Sequence, residues 1–221
     1  MILTLKRPSL FVFDLDDTLF QEVDFVKSAF NEIASSIDIE NAEDLSQRLF
    51  QKYLSGSNAF NWLIETYPAL NLTLNGLLDQ YRNHLPEISL NESVLSLLEV
   101  LKTSEAVLIL VSDGRSVTQR NKIKALKIES FFKEIYISEE IGHEKSDGYT
   151  FKIINEDYPD HDKVMFGDNP LKDFEWPNNL EWISIGLRNS GQNIHSQITD
   201  NKWGYPHHYI NTFADLVIQY E

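Results

Sequence analysis

A chain of 221 residues can bury one sizeable α/β core with an insertion, and no internal repeat divides it. Its formal net charge of −15 disfavours nonspecific binding to nucleic acid or anionic membrane surfaces, so an anionic ligand must be small and met by local cations. The absence of cysteine excludes a disulfide framework and thiol catalysis. No segment reaches the length of a membrane span or reads as a signal peptide, so a cytoplasmic protein is expected.

Taken in chain order, the first predicted element is the apolar run Leu10 to Phe13, a short strand buried on both faces. It runs into Asp14, Leu15, Asp16, Asp17 and Thr18. In extended geometry residues two apart point to one side, so Asp14 and Asp16 could address one ligand. Paired carboxylates repel unless a divalent cation neutralises them or one holds a proton, and both arrangements suit phosphoryl or acyl chemistry. Alone, the same residues also read as a polar turn.

A long insertion follows, from near Glu22 to near Leu90. Val26, Ala29, Phe30, Ile33 and Ile37 recur at helix spacing, as do Leu45, Leu49 and Tyr53, then Leu77, Leu78, Tyr81 and Leu85. Phe60, Trp62 and Tyr67 read as the core of this insert and Arg82 as surface. Asn91 then starts a helix through Val94, Leu98 and Leu101.

The run Val107 to Val111 predicts a second buried strand, ending in Ser112, Asp113 and Gly114. A serine there can offer its hydroxyl and nearby backbone N–H groups to an anion, or simply cap a helix. A helix from Val117 to Leu126 and a strand at Glu134 to Ile137 precede Lys145. A site crowded with carboxylates that must receive a phosphate needs such a fixed cation. Val164 to Phe166 predicts a third buried strand, after which Gly167 permits a tight turn and Asp168 with Asp173 could complete a magnesium shell begun by Asp14. A further strand is expected at Trp182 to Ile185. Residues 189 to 208 are polar and irregular; the adjacent His207 and His208 read as a solvated pair. Thr212 and Asp215 have capping-box spacing and predict a closing helix.

Alternation of strand and helix implies a parallel sheet covered on both faces, with a site at the carboxyl edge where the acidic tips gather. In order and spacing the motifs resemble the haloacid dehalogenase superfamily: Asp14 to Thr18 matches its DxDxT motif, Ser112 the second motif, Lys145 the third, and Gly167, Asp168 and Asp173 the fourth. The third departs from the common Lys-Pro-Asp-Pro, reading Lys145, Ser146, Asp147, Gly148.

The resemblance implies a Rossmann-like core at 1–21 and 90–221 and a helical cap at 22–89 acting as a lid. It implies Asp14 as nucleophile and Asp16 as acid and then base. Thr18 would steady the loop and, with Ser112, Asp113, Gly114 and Lys145, surround the phosphoryl group. Magnesium would be held by Asp14, the backbone carbonyl of Asp16, and Asp168, with Asp173 nearby. The implied activity is a magnesium-dependent phosphatase for a small phosphorylated metabolite such as a phosphosugar. A phosphomutase or a silent binding module on the same scaffold are the alternatives. Asp16 argues against carbon–halogen cleavage, which needs no proton donor.

Overall fold

The computed structural model describes residues 1–38, 40–189 and 191–221. Strands β1 (Ile2–Leu5) and β2 (Ser9–Phe13) precede four helices, α1 (Glu22–Ile37), α2 (Ala42–Leu54), α3 (Ala59–Thr66) and α4 (Leu74–Asn83). Then come α5 (Glu92–Thr103), β3 (Val107–Ser112), α6 (Ser116–Leu126), β4 (Glu134–Ile137), α7 (Ser138–Ile141) and α8 (Tyr149–Asp157). The chain closes with β5 (Asp162–Gly167), α9 (Glu175–Asn179), β6 (Ile183–Leu187), β7 (His208–Ile210) and β8 (Val217–Tyr220).

Six strands form one parallel sheet in the order β4-β3-β2-β5-β6-β7. From central β2 the chain builds outward to β3 and β4, then crosses back to β5 and continues the other way. The order therefore reverses between β2 and β5, and ligands of such sheets bind at the carboxyl ends beside the reversal. The sheet is the expected α/β doubly wound core, and the helices between β2 and β3 are the expected insertion.

Every residue of β2 is buried, which is why its sequence shows no polar alternation. Phe11 and Phe13 pack with Leu108, Leu110, Val164 and Phe166 on one face. Leu10 and Val12 join Ile109, Val111, Phe151 and Met165 on the other. Helices α1 to α4 gather a third apolar cluster around Phe30, Ile33, Leu45, Leu49, Leu63 and Leu77, with Phe60, Trp62 and Tyr67 half-buried against it. Side-chain caps start three of the helices: Asn58 accepts from the Asn61 N–H, Thr73 from Gly76 and Asn91 from Ser93.

Three expectations change. The capping box of Thr212 and Asp215 forms, but it caps a three-residue 3₁₀ turn (Phe213–Asp215) rather than a closing helix. Val217–Tyr220 then pairs in parallel with β1, a two-stranded ribbon joining the chain's two ends. The strand expected at Trp182 runs Ile183–Leu187, with Trp182 buried against the sheet. Leu85 lies beyond α4 and is exposed, since it precedes Pro86, which disfavours helical backbone there. His207 and His208 are both exposed, as expected of a solvated pair, and His207 Nδ1 in addition lies 2.9 Å from the Ser184 hydroxyl. Among the described residues no helix is long and apolar enough to cross a membrane.

Candidate active site

The three expected tips meet because β3, β2 and β5 are adjacent. The Asp14 N–H donates to the Phe166 carbonyl at 2.9 Å, extending the β2–β5 ladder by one bond and setting Asp14 at the sheet's edge. Its carboxylate is fixed from two sides: Oδ2 accepts from the Thr18 hydroxyl at 2.8 Å, and Oδ1 from Lys145 Nζ at 2.6 Å. The Lys145 ammonium also donates to Asp173 Oδ1 at 2.5 Å. Burial alone would lower this lysine, but Asp14 and Asp173 outweigh burial and hold it above its ordinary range.

Asp173 organises the fourth motif. Its Oδ2 accepts from the N–H groups of Asp168 (3.1 Å) and Asn169 (2.8 Å), curling the loop back on itself. Gly167 makes room for this: a Cβ there would fall 2.5 Å from Asp173 Oδ2.

Asp14, Asp168 and Asp173 are all buried, and each offers an oxygen within 4.8 Å of the others'. Burial first, then neighbouring charges, raises Asp14 from 3.8 to about 7 and Asp168 from 3.8 to about 9. Three carboxylates against the single Lys145 ammonium leave negative charge that a divalent cation would balance. An all-oxygen donor set of this kind suits magnesium.

Asp14 and Asp16 do not share one environment, because β2 ends at Phe13 and the rule of alternate residues stops there. Asp17 takes a left-handed backbone (φ 57°), and its carboxylate accepts from the N–H groups of Glu22 and Ile194. The Asp16 carboxylate turns instead to α6, accepting at Oδ1 from Lys122 Nζ (2.6 Å) and at Oδ2 from Gln119 Nε2 (2.7 Å). Asp14 and Asp16 still line one small cavity of about 90 Å³, with Glu22, Lys145, Asp168 and His195.

Ser112 is buried and accepts from Gln119 Nε2 at 2.6 Å, which leaves its own hydroxyl hydrogen to donate. Asp113 accepts from the Lys145 N–H (3.0 Å) and Lys172 Nζ (2.8 Å), so its carboxylate braces the lysine loop. Only its backbone N–H is of use to an anion. Gly114, at φ 145°, turns the chain beside Gln119, where a Cβ would come within 3.2 Å of that side chain.

Sequence reasoning did not find Gln119, Lys122, Glu22 or Lys172. A signal existed for the first two: polar residues three apart on a helix share a face, and Gln119 and Lys122 lie on the buried face of α6. Nor did it find the segment after β6. There Asn193 Nδ2 donates to Asp168 Oδ2 (2.9 Å) and Gln197 Nε2 to the Asp168 carbonyl (2.9 Å), contacts no local pattern announces.

Residues 11–182 match the family described as haloacid dehalogenase-like hydrolase. A curated relative, glyceraldehyde 3-phosphate phosphatase of Methanocaldococcus jannaschii, is 24% identical, the match covering 93% of this chain and 94% of the relative. Among solved structures, YfnB of Bacillus subtilis, bound to magnesium, aligns with a TM-score of 0.64 and 19% identity over 95% of this chain and 97% of that one. The 2-haloacid dehalogenase of Pseudomonas syringae pv. Tomato DC3000 aligns at 0.56 and 16% identity over 97% and 96%. The two structural likenesses show a shared fold.

Proposed function

The chain belongs to the haloacid dehalogenase-like hydrolases, and on that premise we propose that it is a magnesium-dependent phosphatase of a small phosphorylated metabolite. The observation that carries this reading is the pairing of a buried Asp14, fixed by Thr18 and Lys145, with a second carboxyl, Asp16, on the same cavity. Hydrolysis through a covalent intermediate needs both a nucleophile and a separate proton carrier.

In this reading an Asp14 oxygen bonds to phosphorus as the bond to the leaving oxygen breaks, and Asp16 gives that oxygen its proton. Asp16 then takes a proton from water as the water attacks the aspartyl-phosphate, returning the Asp14 carboxylate and releasing phosphate. Lys145 and the Ser112 hydroxyl hold the phosphoryl oxygens, with the backbone around Asp113 and Gly114 beside them. Thr18 keeps Asp14 aimed. Magnesium, held by Asp14, the Asp16 carbonyl and Asp168 with Asp173 in support, would neutralise charge on the transferring group. Residues 22–89 serve as the cap over a core of 1–21 and 90–221. Asp16 separates this reading from halide release, and the name of the M. jannaschii relative agrees with a phosphorylated three-carbon or sugar substrate.

The test is phosphate release from a panel of phosphorylated metabolites, with magnesium and with chelator, by the native chain and Asp14→Asn. Magnesium-dependent release that falls on the order of 10³-fold or more in Asp14→Asn is expected. Release unaffected by that substitution would remove Asp14 as nucleophile.

A further inference from the structure

Lys122 is the second buried lysine of the site. It reaches from α6 with only 2% of its surface exposed. Its ammonium lies 2.6 Å from Asp16 Oδ1 and 3.5 Å from Glu22 Oε1, and it sits over the Phe25 ring at 4.4 Å. A lysine is rarely buried so completely unless its charge is answered, and here two carboxylates answer it.

The placement of those carboxylates gives the pair meaning. Asp16 follows the end of β2, while Glu22 is the first residue of α1, where the helical insertion begins. The same helix also holds the insertion's exit: the Thr118 hydroxyl donates to the Arg82 carbonyl (3.0 Å), and Asn121 Nδ2 to the carbonyls of Asn83 (2.9 Å) and His84 (3.0 Å). One helix thus grips both ends of the insertion and, through Lys122 and Gln119, both oxygens of the Asp16 carboxylate.

We propose that Lys122 is a positioning residue that sets the direction of the Asp16 carboxylate and ties it, through Glu22, to the entry of the helical insertion. This rests on the phosphatase reading. Lys122 touches neither Asp14 nor Lys145 in the contacts of the site, so it acts on the proton carrier and not on the nucleophile.

That division makes the two chemical steps separable. With p-nitrophenyl phosphate, Asp14 bonds to phosphorus and the electron pair of the broken bond leaves with nitrophenolate, which needs no proton. In the second step water bonds to phosphorus, Asp16 accepts the proton, and the electron pair of the broken bond returns to Asp14. Only the second step with this substrate calls on a well-aimed Asp16.

The experiment measures turnover of p-nitrophenyl phosphate and the acid-quenched level of phospho-enzyme in the native chain, Lys122→Met and Asp16→Asn, all with magnesium. Methionine keeps the length and the contact with the aromatic rings. Lys122→Met is expected to turn over tenfold or more slowly while its phospho-enzyme rises, the pattern also expected of Asp16→Asn. Turnover and phospho-enzyme falling together, or neither changing, would overturn the proposal. If Lys122→Met does not fold, Lys122→Gln carries the same expectation. A native chain without magnesium-dependent turnover of this compound or of any panel member would sink the phosphatase reading itself. An active native chain beside an unaltered Lys122→Met would sink only the role of Lys122.

Discussion

At the scale of single residues, burial sets the character of the site. Asp14 and Asp168 lie above the ordinary carboxylate value of 3.8, at about 7 and about 9, because desolvation disfavours their charged forms more than Lys145 and Asn193 favour them. A carboxyl raised on folding binds more protons folded than unfolded. It contributes stability that is complete below its unfolded value and is lost as pH rises through its folded value. The metal-free protein is therefore expected to melt at progressively lower temperature between about pH 5 and about pH 9. Asp168→Asn should flatten that slope, and magnesium should stabilise the native chain more at the alkaline end, where fewer protons compete for the carboxylates. Thermal melts in chelator and in magnesium across this range check it. A native slope unchanged by Asp168→Asn would contradict the assignment.

At the scale of elements, three strands and one loop do most of the positioning. The loop after β5 depends on Gly167, since a Cβ there would press on Asp173 and pull its carboxylate from Lys145 and from the N–H groups of Asp168 and Asn169. Gly167→Ala is expected to weaken magnesium binding by about 10- to 100-fold, the usual effect of disturbing groups that orient metal ligands. Titration with magnesium by calorimetry measures it, and an unchanged affinity would mean that Asp173 does not support the metal.

Strands β2, β3 and β5 were legible because strands buried on both faces read as unbroken apolar runs, each ending in a polar tip. Helices α1, α2 and α4 were legible from their spacing. Strands β1 and β8 were not: they are four residues each, with only one side facing the core, and they pair across almost the whole chain. Thr212 and Asp215 misled because a capping box specifies the first turn of a helix and says nothing of a second. Of the site, Asp14, Ser112 and the Asp168–Asp173 pair could be named from strand ends, and Lys145 from the need for a cation among those carboxylates. The partners of Asp16 could not, since they come from the middle of α6 and depend on which face the helix turns inward.

At the scale of the whole molecule, a chain of net charge −15 repels the kind of anion it is proposed to bind. The site answers this locally. Lys145 and Lys122 are both buried, and bound magnesium would act at the same edge of the sheet, where low dielectric strengthens each charge. The reversal of strand order between β2 and β5 makes that edge available. The insertion, with an apolar cluster of its own, stands where the chain leaves β2 for α1. The acidic motif, the cation and the insertion's entry thus converge on the cavity lined by Asp14.

The most direct test traps that residue. The native chain, Asp14→Asn and Asp16→Asn are each mixed with magnesium and p-nitrophenyl phosphate, quenched in acid, reduced with borohydride and mapped by peptide mass spectrometry, which marks any acyl-phosphate by its reduced side chain. Modification at Asp14 is expected, strongest in Asp16→Asn and absent in chelator. Phosphate release with no modification at Asp14, or with modification at another carboxylate, would contradict the assignment of Asp14 as the nucleophile.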